Sequence, residues 1–425
     1  MRLRHLGSVI LMLLILGSVA DPMLAFADAS AENWPGWRGP TADNHAPVTS
    51  VIPLHWSESE QVLWKTPLPG RGHSSPIVMG NRIYLSTADI KQKTQSVLAL
   101  DRQTGQLLKQ VVVHRGPLPS KIHKKNTHAT PTLACDGKRL FSVFHHDDAI
   151  WASAMDLDCQ LIWQQRVAEF LPDMYKFGYG ASPLLHAGLL VVTSEYDGSD
   201  SGIYALDATN GELRWKVDRP HTLSFSSPIV TNQQGIEQLL ISGYAKIVSL
   251  NPQSGQPNWS VPATTLATCG TVVWDNDYVF ASGGFPVPGT FAVHVSDHPQ
   301  VVWSKPVKCY EQSLLTVQGY VYAISDRGVA YCWRASDGEQ MWKNRLGGKY
   351  SSSPLLIGDQ IHVSNESGTT YVFRTNPATF ELLAENQLGD EIFATPAVVS
   401  NSLYMRYARH DGEQRQEYLI CIGEQ

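Results

Sequence analysis

Past its first twenty residues the chain has no apolar run long enough to cross a bilayer, so no transmembrane span is expected in the mature protein. Positive charge is also short. There are 33 Lys and Arg against 39 Asp and Glu, a formal charge of −6, and no basic stripe of the kind that neutralises phosphates, which excludes nucleic acid as a partner. Helical periodicity is missing: the apolar residues come in short runs broken by 33 Gly and 25 Pro, which speaks against helical architectures. No Cys follows the leading apolar run, so the lipid-attachment pattern of an exported lipoprotein is absent.

The leading segment itself has a clear reading. Arg2, Arg4 and His5 precede an apolar run from Leu6 to Ala20, and Ala25-Phe26-Ala27 offers a small-residue cleavage site. Residues 1–27 therefore read as a signal peptide, which places the expected product in the periplasm or cell envelope without a lipid anchor. Residues 28–61 are irregular and hold Trp34-Pro35-Gly36-Trp37-Arg38-Gly39-Pro40. Two Trp among Pro and Gly cannot build a core alone, so this segment is expected to lie across the following domain as a clasp.

From 62 to 425 the chain is a repeat. The stretch Ser74 to Lys109 reads SSPIV, a polar turn, RIYLST, a loop, VLALD, RQTG and LLK, and it returns seven more times. Aligning the Pro of SSPIV gives Pro76, Pro131, Pro183 and Pro228, the substituted positions Thr271 and Ser313, then Pro354 and Pro396, at spacings of 41 to 55 residues. A period of about forty with four short apolar runs predicts a β-propeller blade. The third strand of a unit runs into a turn of the form D-x-x-T-G, as at Asp101 to Gly105, Asp207 to Gly211, Asn251 to Gly255 and Arg334 to Gly338. Its first side chain can bond the backbone two residues on, and its Gly accepts positive φ. A Trp follows on the fourth strand at Trp163, Trp215, Trp259 and Trp342. Burying an indole removes roughly 150–250 Å² from water, so these are predicted to pack blade on blade. Val62-Leu63-Trp64-Lys65 has the form of a fourth strand with no first three before it, and Tyr418 to Ile422 that of a third strand with no fourth after it. The two complete each other, and the fold predicted is all-β: an eight-bladed β-propeller closed by an N-terminal strand.

The SSPIV, ALD-x-x-TG and Trp elements, recurring over about 62 to 422, resemble the quinoprotein-like (pyrroloquinoline quinone repeat) β-propeller proteins. That family includes quinone-dependent alcohol dehydrogenases and BamB-like secreted bacterial repeat proteins, and the chain is closest in type to the latter. The dehydrogenase branch implies two sequence-adjacent cysteines over the cofactor and a calcium ion held by Glu, Asn and Asp. Here the cysteines stand at 135, 159, 269, 309, 332 and 421, none adjacent, so pyrroloquinoline quinone with calcium is not expected, nor any other cofactor. The resemblance implies a non-catalytic, monomeric scaffold that binds an envelope protein, as in outer-membrane protein assembly. The competing reading is a quinone- or metal-dependent oxidoreductase working at the mouth of the central channel.

Candidate residues follow from the loops that crowd one end of the channel. The positions three before each register Pro, with their neighbours, give His73, His128, Tyr179, Gly180, Phe225, Thr268, Tyr310, Tyr350, Ser351 and Phe393 as a mouth suited to a polar ligand with apolar faces. Imidazoles and carboxylates in the irregular insertions of the first three blades, namely His73, His128, His145, His146, Asp147 and Glu195, form a candidate metal set. Cys135 and Cys159, in turns emerging on one face of the second blade, form a candidate disulfide.

Overall fold

Short alternating runs become strand after strand in the structure, a computed structural model that describes residues 32–221 and 223–424. The predicted signal peptide and residues 28–31 of the predicted clasp lie outside the described residues. Among the described residues 32 strands form eight four-stranded antiparallel sheets and no helix, arranged as the blades of a propeller. Blades one to seven occupy 77–115, 134–169, 184–218, 229–261, 273–305, 315–345 and 355–387; blade eight combines 397–422 with the strand Val62–Leu68. No helix is long and apolar enough to cross a membrane among the described residues.

The D-x-x-T-G turns explain why Gly and Trp recur together. Asp101 Oδ1 accepts the backbone N–H groups of Gln103 and Thr104 at 3.0 and 2.8 Å, and Asn251 Oδ1 accepts those of Gln253 and Ser254 at 2.9 and 3.0 Å. The Gly closing such a turn has positive φ, +70° at Gly105, and it also serves the neighbouring blade. A Cβ on Gly105 would stand 2.3 Å from the Trp64 indole, and one on Gly211, Gly255 or Gly338 would meet Trp163, Trp215 or Trp303 at 2.8 Å. Each outer-strand indole thus lies flat on the turn of the next blade. Several also donate their N–H to it, as Trp64 does to the Arg102 carbonyl at 2.9 Å and Trp303 to that of Ala335 at 2.8 Å. Blade five lacks the turn sequence, reading Ser296-Asp297-His298-Pro299 there, and Trp259 of blade four instead donates to Gln238 Oε1 at 2.6 Å.

The ring closes as the sequence predicts. Val62–Leu68 pairs antiparallel with Gln414–Ile422, setting Trp64 opposite Cys421 and Pro67 opposite Tyr418. A buried ion pair backs this seam: Arg406 Nε donates to Glu417 Oε2 at 2.7 Å. Arg406 also donates to Ser74 Oγ and the Ser86 carbonyl of blade one at 3.0 and 2.8 Å, and Glu417 accepts the Gly72 N–H. These three contacts tie the last blade to the entry of the first, while Arg415 of the last blade donates to Glu417 Oε1 at 2.7 Å.

The clasp crosses one end of the channel. Trp34, fully buried, exchanges backbone hydrogen bonds with Val78 of blade one, and the Pro35 carbonyl accepts the Cys135 N–H of blade two. Arg38 is buried with its guanidinium turned to the carbonyls of Ala42, Asp43 and Leu314, while Asn44 and Ala46 bond to Leu356 of blade seven. Burial lowers the Arg38 pKa to about 10, with the nearby Asp43 carboxylate opposing the shift in part.

Two outcomes are expected. Trp64→Ala removes the indole that covers Gly105 and should cost about 3–5 kcal/mol in denaturant unfolding; a loss below about 1 kcal/mol would show that closure does not limit stability. Acid should also destabilise the protein. Burial lowers the pKa of His114, His145 and His362 from 6.5 to about 4, with His146 adding to the effect at His114 and His128 at His145. The unfolded chain therefore takes up these protons first. The stabilisation from keeping the rings neutral is complete above about pH 6.5 and is lost as pH falls towards about 4. The thermal midpoint should drop through this window, and His362→Leu should flatten part of the slope; a pH-independent midpoint would contradict it.

Candidate functional site

A ring of hydroxyls lines the channel where each innermost strand begins. Ser75, Thr132, Ser182, Ser227, Thr271, Ser313, Ser353 and Thr395 each stand two residues before the first paired residue of their blade's inner strand. Six side chains in this ring accept the backbone N–H of their counterpart one blade earlier, those of Ser75 and Thr271 being the exceptions. Ser75 N–H donates to Thr132 Oγ1 at 3.0 Å, Thr132 to Ser182, Ser182 to Ser227 at 2.9 Å, Thr271 to Ser313, Ser313 to Ser353 and Ser353 to Thr395. The invariant element of the repeat is therefore the hydroxyl and not the Pro beside it. The Pro alignment places blade two two residues out of register and blades five and six one residue out.

Two residues nearer the mouth lies a second ring: His73, Thr130, Gly180, Phe225, Cys269, Glu311, Ser351 and Phe393. With the hydroxyls it walls a funnel of about 610 Å³. Trp37 of the clasp forms its floor, donating its indole N–H to Thr271 Oγ1 at 2.9 Å. His73 stacks on Phe393 with centroids 4.4 Å apart, and burial, helped by Arg71, Arg406 and Arg415, holds this imidazole well below its ordinary pKa. His73 is thus a neutral flat surface in the wall.

Two insertions narrow the opening: the 116–130 segment joining blades one and two, and the 170–180 segment joining blades two and three. The first carries Lys125 across the channel. Its ammonium meets Glu366 Oε1 at 2.7 Å and Glu311 Oε1 at 3.3 Å, while Ser351 Oγ lies 2.5 Å from Glu311 Oε2 and 2.9 Å from Glu366 Oε1, its one proton serving one carboxylate at a time. Burial alone pulls the Lys125 pKa down, but Glu311 and Glu366 more than offset it and leave it raised. On the same side Lys308 pairs with Asp326 at 3.4 Å. The second insertion brings Tyr175 and Phe177 to the rim, where Tyr175 meets Phe285 edge-on at 5.6 Å.

Of the mouth candidates, His73, Gly180, Phe225, Tyr310, Ser351 and Phe393 line the funnel. The others do not. Tyr179 is buried between blades and donates to the Thr193 carbonyl at 2.8 Å, Tyr350 is buried in the apolar cluster around Trp342, and Thr268 is buried against Ser242. These three follow from the register slip or from reading a neighbour of the true position. His128 falls outside the funnel into an adjoining groove beside Arg71, and burial together with that guanidinium lowers its pKa.

The metal candidates are not brought to one point. His145 packs edge-on against Phe170 at 4.9 Å, His146 stacks on His114 at 4.6 Å, Asp147 occupies a hairpin turn, and Glu195 is held by Arg219 at 2.5 Å in a buried ion pair. No group of three or more His, Cys, Asp or Glu able to hold a metal gathers among the described residues. Cys135 and Cys159 share one apolar cluster but are both free thiols, as are all the cysteines of the described residues. Burial pushes their pKa up to about 12 and about 11, and the Cys135 sulfur already accepts the Gly137 N–H.

Sequence reasoning missed Lys125, Glu311, Glu366 and Lys308 as a set. The signal was present only in part: Glu311 neighbours a predicted mouth residue, while Glu366 and Asp326 sit in hairpin turns with nothing to mark them.

The comparisons with known proteins agree with this geometry. A family model described as outer membrane protein assembly factor BamB matches residues 93–344 and 270–379. Outer membrane protein assembly factor BamB of Burkholderia pseudomallei is 22% identical over 345 residues, covering 79% of this chain and 81% of that protein. Its counterpart from Bordetella pertussis is 23% identical over 231 residues, 50% of this chain, and the match spans only 56% of that protein's length. Among solved structures, BamB from Moraxella catarrhalis superposes with a TM-score of 0.60 at 14% identity, covering 84% of this chain and 96% of that one. Quinohemoprotein alcohol dehydrogenase from Comamonas testosteroni does so with a TM-score of 0.61 at 12% identity, covering 96% and 83%. The two structural likenesses establish the propeller, and the family match goes further: this chain belongs to the family of the outer membrane protein assembly factor BamB.

Proposed function

We propose that this propeller is a non-catalytic exported scaffold that binds an envelope protein at its funnel face and, like the BamB proteins it resembles, serves outer-membrane protein assembly. The observation that carries this reading is the pairing of the mouth's own charges. Lys125 bridges Glu311 and Glu366, Lys308 holds Asp326, and the Ser351 hydroxyl sits within hydrogen-bond distance of both glutamates. Acidic groups so engaged are poor general bases and poor ligands for a cation. With no adjacent cysteines in the chain, this donor set does not fit a calcium-bound quinone. The rim is different in character. Phe285 and Val287 are exposed beside Tyr175 and Phe177, an aromatic ledge of the kind that anchors a protein partner. A closed ring of blades gives that ledge a rigid base, so docking orders little besides the partner.

The funnel's volume, within the usual range of small-molecule sites, favours a second reading as a quinone-dependent dehydrogenase. One pair of experiments separates the two. The full chain, tagged and used to capture proteins from an envelope extract, should retain a coherent set of membrane-assembly factors, and Phe285→Asp with Val287→Asp should release them. Reconstitution with pyrroloquinoline quinone and calcium should give no quinone absorbance and no dye-linked alcohol oxidation. Stoichiometric quinone retained through gel filtration would reverse the ranking.

A further inference from the structure

Beside the funnel, above blades one to three, lies an adjoining groove of about 810 Å³ that shares His123, Asn126, Met174, Tyr175 and Phe177 with it and whose lining contains no acidic residue. It holds Arg71, Lys93, Lys121, Lys124 and Lys176, in a chain with six more acidic than basic residues. Among the described residues Lys93, Lys121 and Lys124 make no ion pair, and the contact of Lys176 with the fully exposed Asp173 is long, at 3.8 Å. Arg71 is half-buried with its Nε unpartnered. This arrangement contrasts with the funnel, where Lys125 and Lys308 are both paired.

Cations are only half of the pattern. Apolar side chains project from two loops around the same groove: Ile90, 62% exposed, at the hairpin tip that also carries Lys91 and Lys93; and Leu171 and Met174, 55% and 66% exposed, in the loop that carries Lys176. Ile90 and Met174 belong to the groove's own lining, and with Leu171 they are the exposed apolar crests of two loops that also carry Lys91, Lys93 and Lys176. Exposed apolar crests flanked by lysines suit insertion among lipid chains with the ammonium groups at headgroup level.

We propose that this edge of the propeller docks on an anionic phospholipid surface, with the groove cations taking the phosphate groups and Ile90, Leu171 and Met174 entering the interface. The attraction adds up over several lysines acting within a Debye length and is screened by salt. The groove lies over blades one to three and shares Tyr175 and Phe177 with the aromatic ledge beside Phe285, so lipid and a protein partner would meet at that boundary.

Co-sedimentation of the full chain with vesicles of phosphatidylcholine mixed with phosphatidylglycerol, against vesicles of phosphatidylcholine alone, tests this directly. Binding is expected to the mixed vesicles only, to weaken as salt is raised, and to fall by about tenfold or more in Lys121→Glu with Lys124→Glu. Ile90→Asp with Met174→Asp should abolish it with every cation still in place. All four positions lie in loops, and an unchanged melting curve verifies that each variant is folded. Equal binding to both vesicle types, or none at low salt, overturns the proposal. So does binding that the lysine variant loses and the apolar variant keeps, which would assign the groove to a soluble anion or an acidic protein segment.

Discussion

The buried pair of Arg406 and Glu417, seated behind the strand Val62–Leu68, is the constraint on which the remaining geometry rests. Removing two charges from water is costly, and such a pair is tolerated only when its other polar atoms are also satisfied. Here those atoms reach Gly72, Ser74 and Ser86, the backbone and side chains that deliver the chain into blade one. Ring closure and the placement of His73 are thus one event. A propeller left open at this seam would present two unpaired strand edges.

The repeat was legible because its parts have mechanical reasons to recur at fixed spacing. Asp or Asn heads a turn, Gly ends it, and the indole of the preceding blade lies on that Gly, so Trp64, Trp163, Trp215 and Trp303 each mark a junction. Trp303 escaped notice because its own blade lacks the turn sequence, although the turn it covers, ending at Gly338, is intact. The register was harder. Pro beside the inner strand is tolerated there and not required, whereas the hydroxyl accepts a hydrogen bond that would otherwise leave a backbone N–H buried and unpaired. Reading Pro131 as the marker moved His128 into a wall it does not occupy.

The site was less legible for the same physical reason in reverse. Loop residues meet across the channel through distances in sequence that no local pattern records: Lys125 reaches Glu366, 241 positions away. Histidines at 145 and 146 looked like ligands because imidazole binds metal well, yet His145 packs edge-on against Phe170, His146 stacks on His114, and Glu195 is held by Arg219. What composition could convey was the average character of the mouth. What it could not convey was that the charges would be sorted, with mutually neutralised pairs in the funnel and, in the groove beside it, Lys93, Lys121 and Lys124 in no ion pair.

The clasp has a consequence for how the chain matures. Residues 34 to 56 are made before any blade, yet they bond to Thr271, Leu314, Leu356 and Asn386, contributed by blades five, six and seven. These early residues therefore wait until most of the chain exists before they can find their seats, and the closing strand Val62–Leu68 waits longer still, for Gln414–Ile422. Once Trp37 is seated, a passage open at both ends becomes a blind cup, so whatever enters afterwards must leave by the side it came from.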